Sequence, residues 1–316
     1  MALRANDPWL SAIVPVHNGA HFLGATLASV AAEGAAGVEI RCYNSGDDGG
    51  AARGVAMRFA DRLDIIWIDT PSIRPWTAKT NLGVQQARGG HVVMLHQDDL
   101  WLPGHLAAAR RATHCGAALS VGPSRLIDKA GRDVGGWRLP FAAGTINGVS
   151  LARTLIVQNT IAIPSPVIRR DAFLEVGGLD DELWYTADWD LYLKLTLAGE
   201  VTVRDTATTA FRLHGQSLTM TGWRDLADFA NQHTIVLDRY LPRLAPLPSG
   251  VEACARASMA INCALAGASA GQWGQIAAAA AALARLGPAG AIHLLSKTRL
   301  ADRVVARAKL MLAGEL

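Results

Sequence analysis

Short apolar runs that end in polar tips dominate the N-terminal part of the chain. Ile13-Val14, Val38 to Tyr43, Ile65 to Ile68, Val92 to Leu95 and Ala118 to Val121 each read as a buried strand. A strand covered on both faces shows a continuous apolar run rather than alternation. Between these runs the period becomes that of a helix. Phe22, Leu23, Leu27 and Val30 share a face, Val55, Met57 and Phe59 follow the second strand, and Thr77 to Ala87 follow the third. Pro15, which has no N–H to donate, is expected to close the first strand, and Pro103 to open the helix after the fourth. Alternation of this kind predicts an α/β fold with a largely parallel sheet.

Further along, residues 122–148 are rich in Gly, Pro and Arg and read as a long loop that includes Trp137. A helix is expected from Asp188, with Leu191, Leu195 and Ala198 on one face and Asp190 placed to pair with Lys194 one turn on. Val201 to Val203 give another strand. The pattern then becomes helical: Leu226 to Tyr240, a linker with Pro242, Pro246, Pro248 and Gly250, and Ala-rich segments that include Ala277 to Ala282. The expected division is an α/β domain over residues 1–221 and a helical C-terminal region over 222–316.

Composition narrows the function more than the fold. Half of the 316 residues are hydrophobic and 18% are charged, which excludes a disordered chain, and a net charge of +3 is too small to announce a nucleic-acid binder. Cys42, Cys115, Cys254 and Cys263 show no CxxC spacing, so neither a zinc site nor a redox pair is expected. Residues 1–6 lack a signal-peptide pattern and the apolar runs read as too short to span a bilayer, which together predict a cytoplasmic protein.

Candidate chemistry sits at the polar tips. His96-Gln97-Asp98-Asp99 lies where a buried strand ends, the place where open α/β sheets bind ligands, and its carboxylates suit a hard cation. The same aspartates would also serve as caps for the helix near Pro103. Asp47 and Asp48 read as turn and cap residues, Asp188 as a first-turn carboxylate favoured by the helix dipole, and His214 as a core histidine after a strand. The last segment sets Lys297, Arg299, Arg303, Arg307 and Lys309 among Leu295, Leu300, Val304, Ala308 and Leu312. Such a helix either lies on an anionic membrane surface or packs with a solvated basic face.

The tips form an ordered series: Pro15-Val-His-Asn18, Asn44-Ser-Gly-Asp-Asp48, Ala78-Lys-Thr-Asn-Leu-Gly83 and His96-Gln-Asp-Asp-Leu-Trp101. It resumes at Glu175-Val-Gly-Gly-Leu-Asp-Asp-Glu182, Ala187-Asp-Trp-Asp-Leu191 and Phe211-Arg-Leu-His-Gly-Gln-Ser-Leu-Thr219. In this series the chain resembles glycosyltransferase family 2, whose fold is GT-A. The resemblance implies an inverting transfer of a sugar from a nucleotide-diphosphate donor to an acceptor hydroxyl on a glycan, a lipid-linked group or another molecule, in polysaccharide or glycoconjugate synthesis of bacterial type. It places Pro15, His17, Asn18, Asn44 and Gly46 against the nucleotide, Lys79, Asn81 and Gln97 about the donor, and Asp98 on both donor and metal. His96 and His214 would help hold the metal, and Asp188 would be the base. Lys79 or Arg74 would meet the diphosphate.

Several positions depart from the family pattern. Asn44 stands for a common Asp, Thr80 for an Arg, Ala187 for the first acid of a Glu-Asp pair, and His96 for the first Asp of an Asp-x-Asp motif. Imidazole suits Mn²⁺ better than Mg²⁺, so Mn²⁺ is the favoured cofactor. The same departures leave room for a catalytically degenerate binding or scaffold protein on the GT-A fold. A sugar-nucleotide pyrophosphorylase would need a basic Gly-rich loop after the first strand, which Pro15 to Gly19 does not supply. On the first of its two readings, the basic terminal helix implies peripheral contact with the inner membrane face.

Overall fold

A computed structural model describes residues 7–215, 217, 225–269 and 273–312, without the side chains of 269, 303, 308 and 312. Four parallel strands form its centre: β1 (Leu10–Val16), β2 (Val38–Asn44), β3 (Asp64–Asp69) and β4 (His91–Met94), in the order β3-β2-β1-β4. Helices α1 (Ala20–Ala32), α2 (Ala51–Met57) and α3 (Trp76–Gln86) make the crossovers. The chain therefore builds outward from β1 to β3 and then returns to β1's other side with β4. That reversal opens a crevice between the ends of β1 and β4, the switch point at which such sheets bind ligands.

β1 runs one residue past Pro15, beyond the expected close. β4 pairs with β1 only from Leu10 to Ile13, so at Pro15 the strand has β2 on one side alone and a proline displaces no ladder bond there. β2 is buried throughout, although it carries Glu39 and Arg41. Glu39 accepts from Ser11 Oγ at 2.6 Å and from the Arg88 N–H at 2.7 Å. Burial raises its pKa, but these donors and the neighbouring guanidinium groups outweigh burial and hold the carboxyl below its usual value.

The segment expected as a loop contains three strands. After β5 (Leu100–Trp101), α4 (His105–Thr113) and β6 (Leu119–Val121) come β7 (Ser124–Ile127), β8 (Asp133–Trp137) and β9 (Gly144–Ile146). Short strands with Gly135 and Gly136 inside carry little periodicity, which is why the pattern hid them. α5 (Gly148–Leu155), β10 (Val167–Arg169), α6 (Arg170–Glu175), α7 (Ala187–Ala198), β11 (Val201–Val203) and β12 (Thr209–Arg212) complete the α/β part. β10, β6, β11 and β9 extend the main sheet beyond β4, while β5, β12, β7 and β8 form a second sheet. β5 follows directly on Asp98-Asp99 and β12 leads into His214, so the second sheet draws these two segments together.

The C-terminal region is helical, as expected: α8 (Leu226–Tyr240), α9 (Val251–Ser269), α10 (Gly274–Thr298) and α11 (Leu300–Leu312). The boundary expected between residues 221 and 222 lies outside the described residues, as does the end of the resemblance at Thr219. α8 is tied to α7 by Arg239, which bonds Asp190 at 2.6 Å and Asp180 at 3.0 Å, and by Tyr240 Oη at 2.8 Å from Asp190. By length and composition α10 would cross a bilayer, contrary to the expectation from the apolar runs. It is interrupted at Gly287, at φ +65°, just before Pro288, and a broken backbone is poorly accommodated in hydrocarbon. α11 packs on the second sheet through Ala306 and Leu310, which meet Leu126 and Leu213.

Candidate active site

A cavity of about 830 Å³ occupies the crevice at the switch point, a size suited to a nucleotide-sized ligand. Its wall combines the tips of β1 and β4 (Pro15, His17, Asn18, His96, Gln97, Asp98) with Asp188 at the start of α7 and His214 after β12. Phe22, Trp76, Trp137, Trp184, Tyr185 and Phe211 supply aromatic faces. Residues about two hundred positions apart in sequence thus share one water-accessible space.

The β4 tip is built for a cation. Ligand atoms of His96, Asp98 and Asp99 lie within 4.8 Å of one another. Nε2 of His96 and Oδ2 of Asp99 are buried without a hydrogen-bond partner among the described residues. Leaving such atoms unpaired is costly, and a divalent ion would satisfy both. Burial pushes His96 below its usual pKa against the pull of Asp98, which favours the neutral, metal-ligating imidazole. Burial and the neighbouring Asp98 charge push Asp99 well up, while Arg212 opposes them. The residues therefore fit a divalent metal, with Asp99 in the cluster where the sequence reading had His214. His214 instead bonds Asp98 Oδ2 through Nε2 at 2.8 Å, and so orients a ligand.

Neither aspartate caps α4. The N–H groups of Gly104 and Leu106 at its start go to the Glu33 carboxylate, each at 2.9 Å. Asp99 Oδ1 accepts from the Arg212 N–H at 2.9 Å, and Arg212 Nε bonds the Asp98 carbonyl at 2.7 Å. The tip is fixed from the second sheet, a contact that no local sequence pattern announces.

The expected nucleotide residues divide into two groups. Gln97 Oε1 accepts from the His17 N–H at 2.9 Å and its Nε2 bonds the His17 carbonyl at 3.2 Å, clasping the β1 and β4 tips. Asn18, at φ +49°, accepts from the Asp47 N–H. Gly46 approaches Asn18 so closely that a Cβ there would lie 2.5 Å from its backbone nitrogen. Lys79 faces the cavity, but its Nζ is engaged by Val16 O at 2.8 Å and Ser45 Oγ at 2.9 Å. Burial lowers its pKa to about 8.

Asn44 and Asn81 do not reach the cavity. Asn44 Oδ1 accepts from the Gly46 N–H at 2.9 Å and its amide faces Asp69, closing the turn rather than offering itself to a base. Asn81 exchanges two hydrogen bonds with Leu179, both at 2.9 Å, and holds the Gly177-Gly178 turn onto α3. Both side chains serve the local backbone and, like Gly46, are not among the residues that line the cavity.

Asp188 lines the cavity and makes no capping bond across its turn. Its Oδ2 accepts from Asn159 Nδ2 at 2.9 Å and its Oδ1 from the Trp189 N–H at 2.8 Å. Burial dominates and lifts the carboxyl pKa to about 6 despite those donors. Each oxygen keeps a further lone pair, so the group is able to take a proton. Ala187, in place of a second acid, is fully buried. Asn159 was not foreseen, because it comes from a segment with neither periodicity nor motif.

Comparison with known proteins places this geometry in context. The model for "Glycosyl transferase family 2" matches residues 11–174, which include both strand tips and the metal cluster. An uncharacterized glycosyltransferase of Rickettsia felis is 23% identical over 213 residues, covering 66% of this chain and 35% of that protein. The chain thus spans about a third of that relative's length. One from Rickettsia prowazekii is 22% identical and covers 71% and 70% respectively. S. aureus TarS 1-349 in complex with UDP-GlcNAc superposes with a TM-score of 0.54 at 14% identity, over 97% of this chain and 92% of that one. The Pyrobaculum calidifontis mannosyltransferase PcManGT, in complex with GDP-Man and Mn²⁺, gives 0.57 at 16%, over 96% and 87%. These likenesses establish the GT-A fold. Because the family model covers more than half of its length, the chain belongs to glycosyl transferase family 2.

Proposed function

We propose that this protein transfers a glycosyl group from a nucleotide-diphosphate sugar to an acceptor hydroxyl by a single inverting displacement. The observation that carries the reading is the shared cavity, in which Asp188, with a pKa of about 6, faces the same space as His96 and Asp98. A base poised near the working pH takes the acceptor proton as the new bond forms. A divalent cation held by His96, Asp98 and Asp99 would neutralise charge on the departing diphosphate. Mn²⁺ is favoured over Mg²⁺ because an imidazole stands in the ligand set. The unpartnered ligand atoms support an active enzyme over a degenerate scaffold.

The experiment is a thermal-shift panel of UDP, GDP, TDP and CDP, with and without Mn²⁺. The cognate nucleotide is expected to raise stability only with metal, by about 2.7 kcal/mol at a hundredfold excess over Kd. No shift with any nucleotide would return the protein to the scaffold reading.

The acceptor is assigned to a glycan or lipid-linked hydroxyl of a bacterial-type surface polymer, met by a cytoplasmic protein at the inner membrane face. In support, Ile292, Leu295, Val305 and Met311 are exposed near Lys297 and Lys309. On α11 the face that carries Ala306 and Leu310 is packed, while Val304, Val305 and Met311 stay exposed. A protein carrying both Ile292→Asp and Leu295→Asp is expected to lose co-sedimentation with anionic vesicles, where each basic residue contributes about 1 kcal/mol. Equal sedimentation by both proteins would remove the membrane contact.

A further inference from the structure

The terminal helix brings a charge into the cavity that neither its sequence pattern nor the family match assigns to the site. Among the described residues, three Lys or Arg side chains line the cavity: Arg74, Lys79 and Arg307. Lys79 is already engaged by Val16 and Ser45, and Arg74 is exposed on the loop before α3. Arg307 is half-buried on α11 and, among the described residues, makes no hydrogen bond or ion pair. A half-buried guanidinium without a partner, facing a cavity, is matched to an anionic ligand.

The docking of α11 ties Arg307 to the second sheet. Ala306, its neighbour, packs with Leu213, and Leu213 precedes the His214 that bonds Asp98. Asp302 on the same helix pairs with Arg138 just beyond β8, at 2.9 Å from Nε, and Lys309 Nζ reaches the Val134 carbonyl at 3.4 Å. The helix is thus held against the second sheet, whose strands β5 and β12 adjoin Asp98-Asp99 and His214, and its arginine lines the same cavity as His96 and Asp98.

We propose that Arg307 binds the diphosphate of the donor, so that the last helix forms part of the active site and completes its phosphate subsite. This rests on the donor reading given above. The metal would neutralise one side of the diphosphate, and the planar guanidinium would donate paired hydrogen bonds to its remaining oxygens, in the ground state and as charge grows on the leaving group.

The test uses the full-length protein with Mn²⁺ and a calorimetric series of UDP, UMP and uridine, together with GDP, GMP and guanosine. Arg307→Gln is expected to weaken the preferred diphosphate by about 10- to 100-fold while moving the nucleoside by less than about twofold, because a charge-assisted bond is lost only where phosphate is present. Arg307→Lys should recover part of the loss. Unchanged diphosphate affinity, or an equal loss for the nucleoside, overturns the proposal. So does a rise in acceptor KM with donor affinity intact, which would put Arg307 on the acceptor. A wild-type protein that binds no nucleotide removes the donor reading together with this one, whereas a wild type that binds and a variant that matches it removes this one alone.

Discussion

Asp188→Asn is expected to cut kcat by about 10²–10⁴ while leaving Mn²⁺-dependent nucleotide affinity within about a fewfold of wild type. The amide keeps the shape of the carboxylate but cannot take the acceptor proton. It also cannot satisfy both of its neighbours, because Asn159 Nδ2 and the Trp189 N–H each need an acceptor. One of those bonds is lost. The measurement is turnover with the identified donor and acceptor, beside the melting temperature of each protein. Native melting with turnover near wild type would move the base to another residue.

The raised pKa adds a signature in pH. Turnover by the wild type should fall as pH drops through about 6, because the base is then protonated. Stability runs the other way. A carboxyl whose folded pKa lies above its unfolded value near 3.8 costs stability when ionised. The cost is absent below the unfolded pKa, develops between about pH 4 and 6, and is complete above that, at about 3 kcal/mol. An amide does not titrate. The stability of the Asp188→Asn protein relative to wild type should therefore improve by about that amount from pH 4 to pH 7. Parallel stability curves would show that Asp188 is an ordinary solvated carboxylate.

The sequence made the parallel half of the fold legible because β1, β2 and β4 are buried on both faces, and burial of that kind writes itself as an apolar run. It left the second sheet dark. β7, β8 and β12 are short, and the partners of β12 are remote, so that Ala210 pairs with Arg125 across 85 positions. The site followed the same rule. His17, Gln97, Asp98 and Asp188 stand at element ends, where local pattern and family likeness both point, and the structure brings them to one cavity. Asp99 belonged to the tip whose carboxylates the sequence offered to a cation, though nothing announced its contact with Arg212, whereas Asn159 and Arg307 are defined by what they meet, Asp188 on α7 and the cavity. Asn44 and Asn81 stand outside the cavity lining. Their positions match a donor-binding series, but polar side chains near tight turns have backbone groups to satisfy first.

Asp98→Ala is expected to remove metal-dependent nucleotide binding, with a loss of about 100-fold or more in affinity measured with Mn²⁺, and little change without it. Three effects act together. The substitution deletes one carboxylate from a cluster whose ligand atoms lie within 4.8 Å. It also frees His214, whose Nε2 is held by Asp98 Oδ2 at 2.8 Å. Finally, it leaves Asp99 as the one carboxylate at the tip, and that group is the poorer anion. Burial raises both pKa values, but for Asp98 the His214 bond and the nearby imidazoles overcome burial and bring it below the usual value, whereas Asp99 stays well above. Of the pair, Asp98 is therefore the carboxyl that ionises more readily. The Asp98 carbonyl, which Arg212 Nε bonds, survives the change, so the tip should keep its backbone path and the apo melting temperature should stay near that of wild type. Titration of the cognate nucleotide with Mn²⁺, with Mg²⁺ and with neither separates these effects. A variant that still binds nucleotide in a metal-dependent way, within a fewfold of wild type, would mean that the cation is held elsewhere and that the orphaned atoms of His96 and Asp99 have another ligand.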